Sequence, residues 1–282
     1  MVNAFYPKTL IEALNIRHTH DTMIINGATD ILPRHRPWSG TSIPYTKDVL
    51  YLQQVSQTNH IEIKEDVVRI GLGVTYDQFL EHPAISDCWK TPIRQIGSQA
   101  IRNQATLIGN VCNASPAGDV LPLLYALDGK MIIQSLDQQR ILPIQSFILG
   151  PGQIDLQHDE IVTHIEIPIH TYNKTFYHKV GARKANAISK VSVFAVALVI
   201  DDIIHDVRIS IGACAPTVIR CLSCEDLLKQ TSIKQIPTII QEVLAEYDTR
   251  LRPIDDVRST KEYRRQVALN LIEAFLLKEL II

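Results

Sequence analysis

The sequence feature that most constrains the fold is a polar, turn-rich segment, residues 101–119, that lies between two apolar runs. Its residues with a short polar side chain or none include Asn103, Thr106, Asn110, Asn113, Ser115, Gly118 and Asp119. A plain core element has no need of so many of them, whereas bare backbone turns approach and bind anionic groups closely. The segment therefore predicts one wall of a site for a phosphate-bearing cofactor.

Length and composition indicate an ordinary globular protein. The chain has 282 residues, which favours two domains, and 46% hydrophobic and 21% charged residues. A formal net charge of -2 is not typical of a protein that binds nucleic acid over a broad surface. The first residues lack the basic region and apolar core typical of a secretory leader, and no run approaches the roughly 18 apolar residues of a membrane span. We therefore expect a cytoplasmic protein without a membrane segment.

Cysteine and histidine usage predicts no metal site. The five cysteines are scattered, which argues against a disulfide scaffold and favours buried thiols. Only Cys221 and Cys224 have ligand-like spacing, and a closed site needs about two more ligands nearby. His158, His164 and His170 recur every six residues, which fits neither one helix face nor a zinc motif.

A second candidate loop follows the first predicted strand. The apolar spacing over 9–17 predicts a short helix, and 22–26 predicts a buried strand that ends at Gly27, Ala28, Thr29 and Asp30. A helix capped by Thr29 or Asp30 is expected from about Ile31. Alone, each loop is explained by a capped turn or by Asx turns, but two in one domain favour a ligand.

The remaining pattern predicts an α+β fold in two domains. Strands are predicted at 49–52, 60–64, 67–71, 130–134, 160–167, 175–180, 190–200 and 207–214, and helices at 75–80, 92–101, 121–126, 224–229, 236–247 and 261–280. Gly150-Pro-Gly152 is the strongest break and precedes the alternating strand at 160–167. We expect an N-terminal domain over 1–170, subdivided near 50–60, and a smaller C-terminal domain over 171–282 with an antiparallel sheet and helices.

Several common enzyme signatures are missing from the sequence. Neither loop matches the GxGxxG dinucleotide pattern or the Gly-Lys-Ser/Thr phosphate loop. A nucleophile elbow is missing as well, and no serine, histidine and acid grouping stands out. The sequence thus predicts no catalytic side chain of a hydrolase.

Taken in order, the motifs resemble the flavin-binding subunit of molybdenum hydroxylases, the xanthine dehydrogenase family. The resemblance rests on Arg220 and on the segments 27–30, 100–110, 113–119, 150–152, 158–161, 215–217 and 261–264, which are spread over nearly the whole chain. It implies a PCMH-like FAD-binding domain and a C-terminal domain like that of carbon monoxide dehydrogenase flavoproteins. The FAD pyrophosphate would lie between the two loops and the flavin ring at the domain junction.

The resemblance also implies which residues contact FAD. They are Met23, Ile24, Ile25, Asn26, Gly27, Ala28, Thr29 and Asp30 in the first loop, Thr106, Leu107, Ile108, Gly109 and Asn110 in the second, and Asn113, Ser115, Asp119, Val162 and Lys179 around the flavin. The basic segment 183–190 matches a loop that lies near the flavin and its acceptor in relatives. It is equally explained as a solvated turn.

Two positions depart from the family pattern. Ala28 stands where the family usually has a second glycine, and Ile108 stands where the second loop usually has the first of two glycines. Alanine is a small change, whereas a β-branched side chain disfavours positive φ and occupies space. Ile108 is therefore the position expected to decide how well FAD binds. If the backbone there is extended and the side chain points into the core, FAD can still bind; otherwise its affinity is expected to fall sharply.

The function implied by the resemblance is electron transfer. This chain would pass electrons from a [2Fe-2S] subunit through FAD to NAD⁺ or another acceptor, and a molybdopterin subunit would hydroxylate the substrate. The alternatives are an assembly subunit that has kept the fold but weakened or lost FAD binding, and the flavoprotein of a related carbon monoxide, nicotinate or aldehyde dehydrogenase.

Overall fold

The computed structural model describes residues 2–35 and 45–281. The N-terminal part contains two sheets, one parallel with strand order β1-β3-β2 and one antiparallel with order β4-β5-β10-β6-β7. Its strands are β1 (Ala4–Phe5), β2 (Thr22–Ile25), β3 (Asp48–Tyr51), β4 (Ile61–Lys64), β5 (Val67–Gly71), β6 (Lys130–Gln134), β7 (Gln139–Pro143), β8 (Ile148–Gly150), β9 (Gln153–Ile154) and β10 (Ile161–Pro168). Strands β8 and β9 form a separate two-stranded ribbon.

Short helices connect these strands. They are α1 (Leu10–Thr19), α2 (Ile31–His35), α3 (Tyr76–Glu81), α4 (Asp87–Arg94), α5 (Gln99–Arg102), α6 (Leu107–Cys112), α7 (Val120–Ala126) and α8 (Ile144–Phe147). Thr75 caps α3 in a capping box with Gln78, as its position before an apolar run predicts. Most of the segment that connects β5 to β6 is thus helical.

The C-terminal part is a four-stranded antiparallel sheet with helices on one side. Its elements are β11 (Lys174–Val180), β12 (Val191–Ile200), β13 (Ile203–Gly212), β14 (Ile219–Arg220), α9 (Leu222–Leu228), α10 (Ile236–Arg250) and α11 (Lys261–Ala274), followed by one π-helical turn, Phe275–Glu279. The sheet has the order β11-β12-β13-β14. The predicted α+β class with a C-terminal antiparallel sheet and helices is confirmed.

Strand β12 joins the two parts because it is buried on both faces. Phe194 and Val196 belong to the core of the N-terminal part, while Val193 and Ala195 belong to the core under α10 and α11. Alternate residues of a strand point to opposite faces, so a nearly continuous apolar run is what such a position requires. The result is an apolar junction between the two parts, with α7 packed against β12 and β13.

Some boundaries differ from the predicted ones. The helix expected over 92–101 is two helices, α4 and α5, because Gly97 lies between them with φ +56°. The strand expected from Val207 begins at Ile203, and the last helix is α-helical only to Ala274. Within residues 2–35 and 45–281, no helix is both long and apolar enough to span a bilayer.

Candidate functional site

A cleft of about 950 Å³ lies at the junction of the two parts. This volume is at the upper end of the range for small-molecule and cofactor sites. All the predicted cofactor contacts line it except Met23 and Leu107: Ile24, Ile25, Asn26, Gly27, Ala28, Thr29, Asp30, Thr106, Ile108, Gly109, Asn110, Asn113, Ser115, Asp119, Val162 and Lys179. The structure therefore brings together side chains that are far apart in sequence.

The first loop presents bare backbone to the cleft. It follows β2, whose last carbonyl, that of Ile25, accepts a hydrogen bond from Leu52 N at 2.9 Å. No group of the described residues accepts a hydrogen bond from the backbone N–H groups of Gly27, Ala28 or Thr29. Ala28 has φ 59°, in the left-handed region that an L side chain rarely adopts. Three backbone donors thus remain for a ligand.

The second segment is a capped helix rather than a loop, which corrects the sequence expectation. Thr106 caps α6 by accepting a hydrogen bond from Gly109 N at 3.0 Å on its side-chain oxygen. Ile108 lies in the first turn, where an α-helix leaves the backbone N–H without an intrahelical partner. Its side chain is 3% exposed and belongs to the core. The β-branched side chain therefore does not block the cleft.

The two segments are packed directly against each other. A Cβ atom on Gly27 would lie 2.2 Å from the carbonyl oxygen of Gln104, so the bare backbone there serves segment packing as well as any ligand. Asn26 Nδ2 donates to the Leu72 carbonyl oxygen at 2.7 Å and to Thr106 Oγ1 at 3.3 Å. Its side-chain amide thus holds the two segments together rather than facing a ligand freely.

The stretch after α6 contains an unsatisfied polar atom. Asn110 lines the cleft, and its Oδ1 is buried without a hydrogen-bond partner among the described residues. A Cβ atom on Gly118 would lie 3.1 Å from this oxygen. Buried polar atoms nearly always have a partner, so an unpaired one in a cleft indicates a missing ligand group or water.

Asp119 joins the N-terminal part to the C-terminal part. Lys179 Nζ lies 2.7 Å from Asp119 Oδ2, and both side chains are less than 10% exposed. Lys179 Nζ also donates to the Gln95 carbonyl oxygen at 3.2 Å. Ser189 Oγ donates to Asp119 Oδ1, and Tyr177 OH donates to the same oxygen at 3.4 Å. Asp119 and Lys179, which are both predicted to contact the cofactor, therefore also form an ion pair with each other between the two parts.

Two tyrosines near this pair are held in the protonated form. Burial raises the pKa of Tyr177 well above its ordinary value, and the Asp119 charge raises it further. Burial likewise raises the pKa of Tyr76, which lines the cleft, with a smaller contribution from Asp119. Both hydroxyls are therefore harder to ionise than that of an ordinary tyrosine.

Two of the three basic side chains in the segment 183–190 are engaged by neighbouring groups of the protein. Arg183 Nη2 donates to the Asn186 carbonyl oxygen at 2.7 Å, so this guanidinium is used to shape the turn. Lys190 Nζ lies 5.5 Å from the centre of the Tyr263 ring. Asn186 and Ile188 line the cleft, together with a cation from the C-terminal part, Arg258.

Sequence reasoning missed two arginines of the cleft, Arg17 and Arg258. A signal for Arg17 was present, because Leu10, Ala13 and Leu14 share with it the i, i+3, i+4, i+7 spacing of one helix face. An arginine on an apolar face is a buried charge that needs partners. Arg258 lies in an irregular segment before α11 and gave no such signal.

The cysteine pair differs from the expectation of free thiols. The structure pairs Cys221 with Cys224 as a disulfide at the start of α9, and both residues are buried. Cys88, Cys112 and Cys214 are free. In the described ranges, no group of three or more histidine, cysteine or acidic residues is arranged to hold a metal ion.

The cleft, its free backbone donors and its buried cationic side chains define a protein that binds an elongated anionic cofactor. Comparison with known families identifies that cofactor. Residues 1–170 match the family described as the FAD binding domain in molybdopterin dehydrogenase, and residues 176–279 match the CO dehydrogenase flavoprotein C-terminal domain. The chain belongs to this family, and it is an FAD-dependent oxidoreductase subunit of the molybdenum hydroxylase type.

Individual relatives agree with this assignment. The chain is 26% identical over 269 residues to the xanthine dehydrogenase FAD-binding subunit of Escherichia coli, covering 91% of this chain and 88% of that one. It is 27% identical over 270 residues to the nicotine 6-hydroxylase medium subunit of Paenarthrobacter nicotinovorans, covering 94% and 93%. Among solved structures, carbon monoxide dehydrogenase of Oligotropha carboxidovorans has the same fold, with a TM-score of 0.90, 17% identity and coverage of 100% and 98%.

The residues present fit FAD. The free amides of the first loop would donate hydrogen bonds to a phosphate. The buried Asn110 oxygen would accept one from a sugar hydroxyl or a ring N–H. The structure also shows Ile108 in the core, which removes the main sequence argument for a lost cofactor.

Proposed function

We propose that this chain holds FAD with the pyrophosphate between the first loop and the start of α6 and with the flavin at the domain junction. The observation that carries the proposal is the cleft itself, in which free backbone donors at 27–29 lie between the walls formed by β2 and α6. We assign the predicted contacts to FAD on this basis, with Asn113, Ser115, Asp119, Val162 and Lys179 toward the flavin. The division at about residue 170 belongs to the same proposal.

FAD supplies two-electron and one-electron redox chemistry once it is bound. The residues of this chain bind, orient and shield it. The amides of the first loop would neutralise phosphate charge, and the Asp119–Lys179 pair would place one ammonium and one carboxylate near the ring. Backbone and side-chain charges fixed in this way set the electrostatic environment of a cofactor without any proton transfer by the protein.

The class of enzyme supports a proposal for the partners and the acceptor. We propose that a [2Fe-2S] subunit delivers electrons to this chain, that a molybdopterin subunit carries the substrate, and that NAD⁺ is the final acceptor. Arg258 lines the cleft and pairs with Asp256 Oδ2 at 3.0 Å, so its charge is only in part available to an anionic acceptor such as a dinucleotide. Because substrate chemistry would take place on another chain, the carbon monoxide, nicotinate and aldehyde dehydrogenase alternatives remain open. A cytoplasmic location stays a prediction.

Flavin titration tests the binding proposal. Purified chain incubated with FAD and desalted should retain flavin absorbance, and free FAD fluorescence should be quenched in a saturable way. The double variant Asp119→Asn/Lys179→Met removes both charges at the junction without leaving either one unpaired, and it should weaken FAD and FMN alike by about tenfold. Lys174→Met, on the same strand as Lys179 but outside the cleft, is the control.

Two results would overturn the proposal. Wild-type protein that is folded but retains no flavin after incubation contradicts FAD binding and favours the assembly subunit. A double variant with unchanged affinity for both flavins contradicts the placement of the ring at the junction. For the acceptor, reduced complex that is reoxidised by other acceptors but not by NAD⁺ rejects NAD⁺.

A further inference from the structure

A buried arginine lies in the wall of the cleft on the N-terminal side. Arg17, on α1, is 6% exposed and lines the cleft beside Thr22. Its Nη1 donates to the Thr22 carbonyl oxygen at 2.6 Å and to Thr22 Oγ1 at 3.2 Å, and its Nη2 donates to the Gln157 carbonyl oxygen at 3.3 Å. The guanidinium is thus held in a fixed orientation by two backbone carbonyls.

One nitrogen of this guanidinium has no partner among the described residues. Arg17 Nε is buried and makes no hydrogen bond to any described residue. Asp21 and Asp159 act on Arg17 only as nearby charges and form no ion pair with it; Asp21 pairs instead with Lys47. Burial lowers the pKa of Arg17, yet arginine stays charged in proteins. A nine-tenths buried cation with an unused N–H is costly unless a ligand completes its shell.

The position of Arg17 along the cleft indicates which ligand group it would meet. Thr22 begins β2, and the first loop follows the end of β2, so four extended residues, about 13 Å, separate Arg17 from the loop amides. The cleft lining follows this strand through Ile24 and Ile25. Lys179, Ile188 and Arg258 line the cleft from the C-terminal part instead. Arg17 therefore belongs to the wall built by the N-terminal sheet.

We propose that Arg17 is a specificity-determining residue that donates its Nε–H to the adenosine half of FAD, so that the site selects FAD over FMN. The inference rests on the proposed orientation, with phosphates at the first loop and the flavin at the domain junction. In that orientation the adenosine extends along β2 toward Arg17. FMN has no adenosine and gains nothing from this contact.

The test compares two flavins and a nucleotide. Arg17→Met keeps most of the side-chain volume and removes all donors, and its Kd for FAD should rise about tenfold, equivalent to about 1.4 kcal/mol. Its Kd for FMN should change less than twofold, and ADP should compete with FAD less well than in wild type. Arg17→Lys keeps the positive charge but lacks the Nε–H. Its Kd for FAD should therefore rise to a value within threefold of the Kd of Arg17→Met.

The control is Arg140→Met. Arg140 holds the same 155–160 segment as Arg17, through the Asp155 carbonyl oxygen and Glu160, but it does not line the cleft. Loosening of the fold should appear in both variants as a lower Tm, whereas the fall in the ratio of FMN to FAD dissociation constants should appear only at Arg17.

Three outcomes contradict the inference while leaving FAD binding intact. They are an unchanged FAD affinity in Arg17→Met, an equal loss for FAD and FMN, and the same change of ratio in Arg140→Met. Wild-type protein that binds no FAD contradicts the proposed function itself, and the two failures are therefore distinguishable.

Discussion

The two segments that pack against each other in the wall of the cleft each depart from the family's glycine pattern, and the two departing residues differ in backbone conformation and in where their side chains lie. Ile108, the larger change, lies in the first turn of α6 with its side chain in the core. Ala28, the smaller change, lies in the left-handed region with φ 59°. The size of the substituted side chain alone therefore does not predict the effect of replacing a family glycine, because the backbone conformation decides whether a Cβ atom is tolerated.

The largest effect is expected from Ile108→Gly. The substitution removes a buried aliphatic side chain and places glycine in a helix, so the free energy of unfolding should fall by about 4 kcal/mol. If Ile108 is a core residue, FAD affinity should not increase. Urea denaturation measures the first quantity and fluorescence titration the second.

Two further variants make this prediction decisive. Ile108→Val should cost about 1 kcal/mol and leave the Kd for FAD unchanged, and it remains informative if the glycine variant fails to fold. Ile188→Gly removes an isoleucine that also lines the cleft but is 58% exposed, so it should cost far less. A tenfold gain in FAD affinity in Ile108→Gly would reverse the comparison and favour a degenerate site.

The second largest effect is expected at the contact between the segments. Gly27→Ala places a methyl group 2.2 Å from the Gln104 carbonyl oxygen, and neither backbone can move without displacing the other segment. Unfolding free energy should fall by about 2 kcal/mol, as overpacking usually costs, and the Kd for FAD should rise at least tenfold because both walls shift.

Gly152→Ala is the matched control for Gly27→Ala. Gly152 has φ +70° and no atom within 4 Å of an added Cβ, so the substitution introduces backbone strain without a collision. It should cost about 1 kcal/mol and leave flavin affinity unchanged. If Gly27→Ala is no worse than Gly152→Ala in both assays, the segments are less tightly packed than the structure indicates.

Local pattern was enough to predict most elements of the fold but not the assembly of the site. Val67–Gly71 and Lys130–Gln134 are strands with the predicted bounds because each is a short apolar run bounded by turn residues. Helix α6 was missed because its glycine, asparagine and β-branched residues have low helix propensity, and Thr106 stabilises it by capping.

The contacts across the cleft depend on tertiary structure. Asn26 and Thr106 are 80 residues apart, and Asp119 and Lys179 are 60 apart. The first contact is set by packing within the N-terminal part and the second by how the two parts pack on β12, and no local pattern encodes either. The family resemblance predicted that these residues contact the cofactor. Only the structure shows that Asn26 and Asp119 also make contacts within the protein.

The smallest effect, and the one with the opposite sign, is expected from Ala28→Gly. Glycine relieves the left-handed strain at φ 59°, worth about 1 kcal/mol, but adds freedom to the unfolded chain, so the net gain in unfolding free energy should be about 0.5 kcal/mol. Ala126→Gly, at a fully buried helical alanine, should instead lose about 1 kcal/mol or more. FAD affinity should stay the same or rise slightly in Ala28→Gly, because the loop amides keep their positions. If both alanine variants lose stability equally, Ala28 is not strained, and the contrast between the two segments fails at this position.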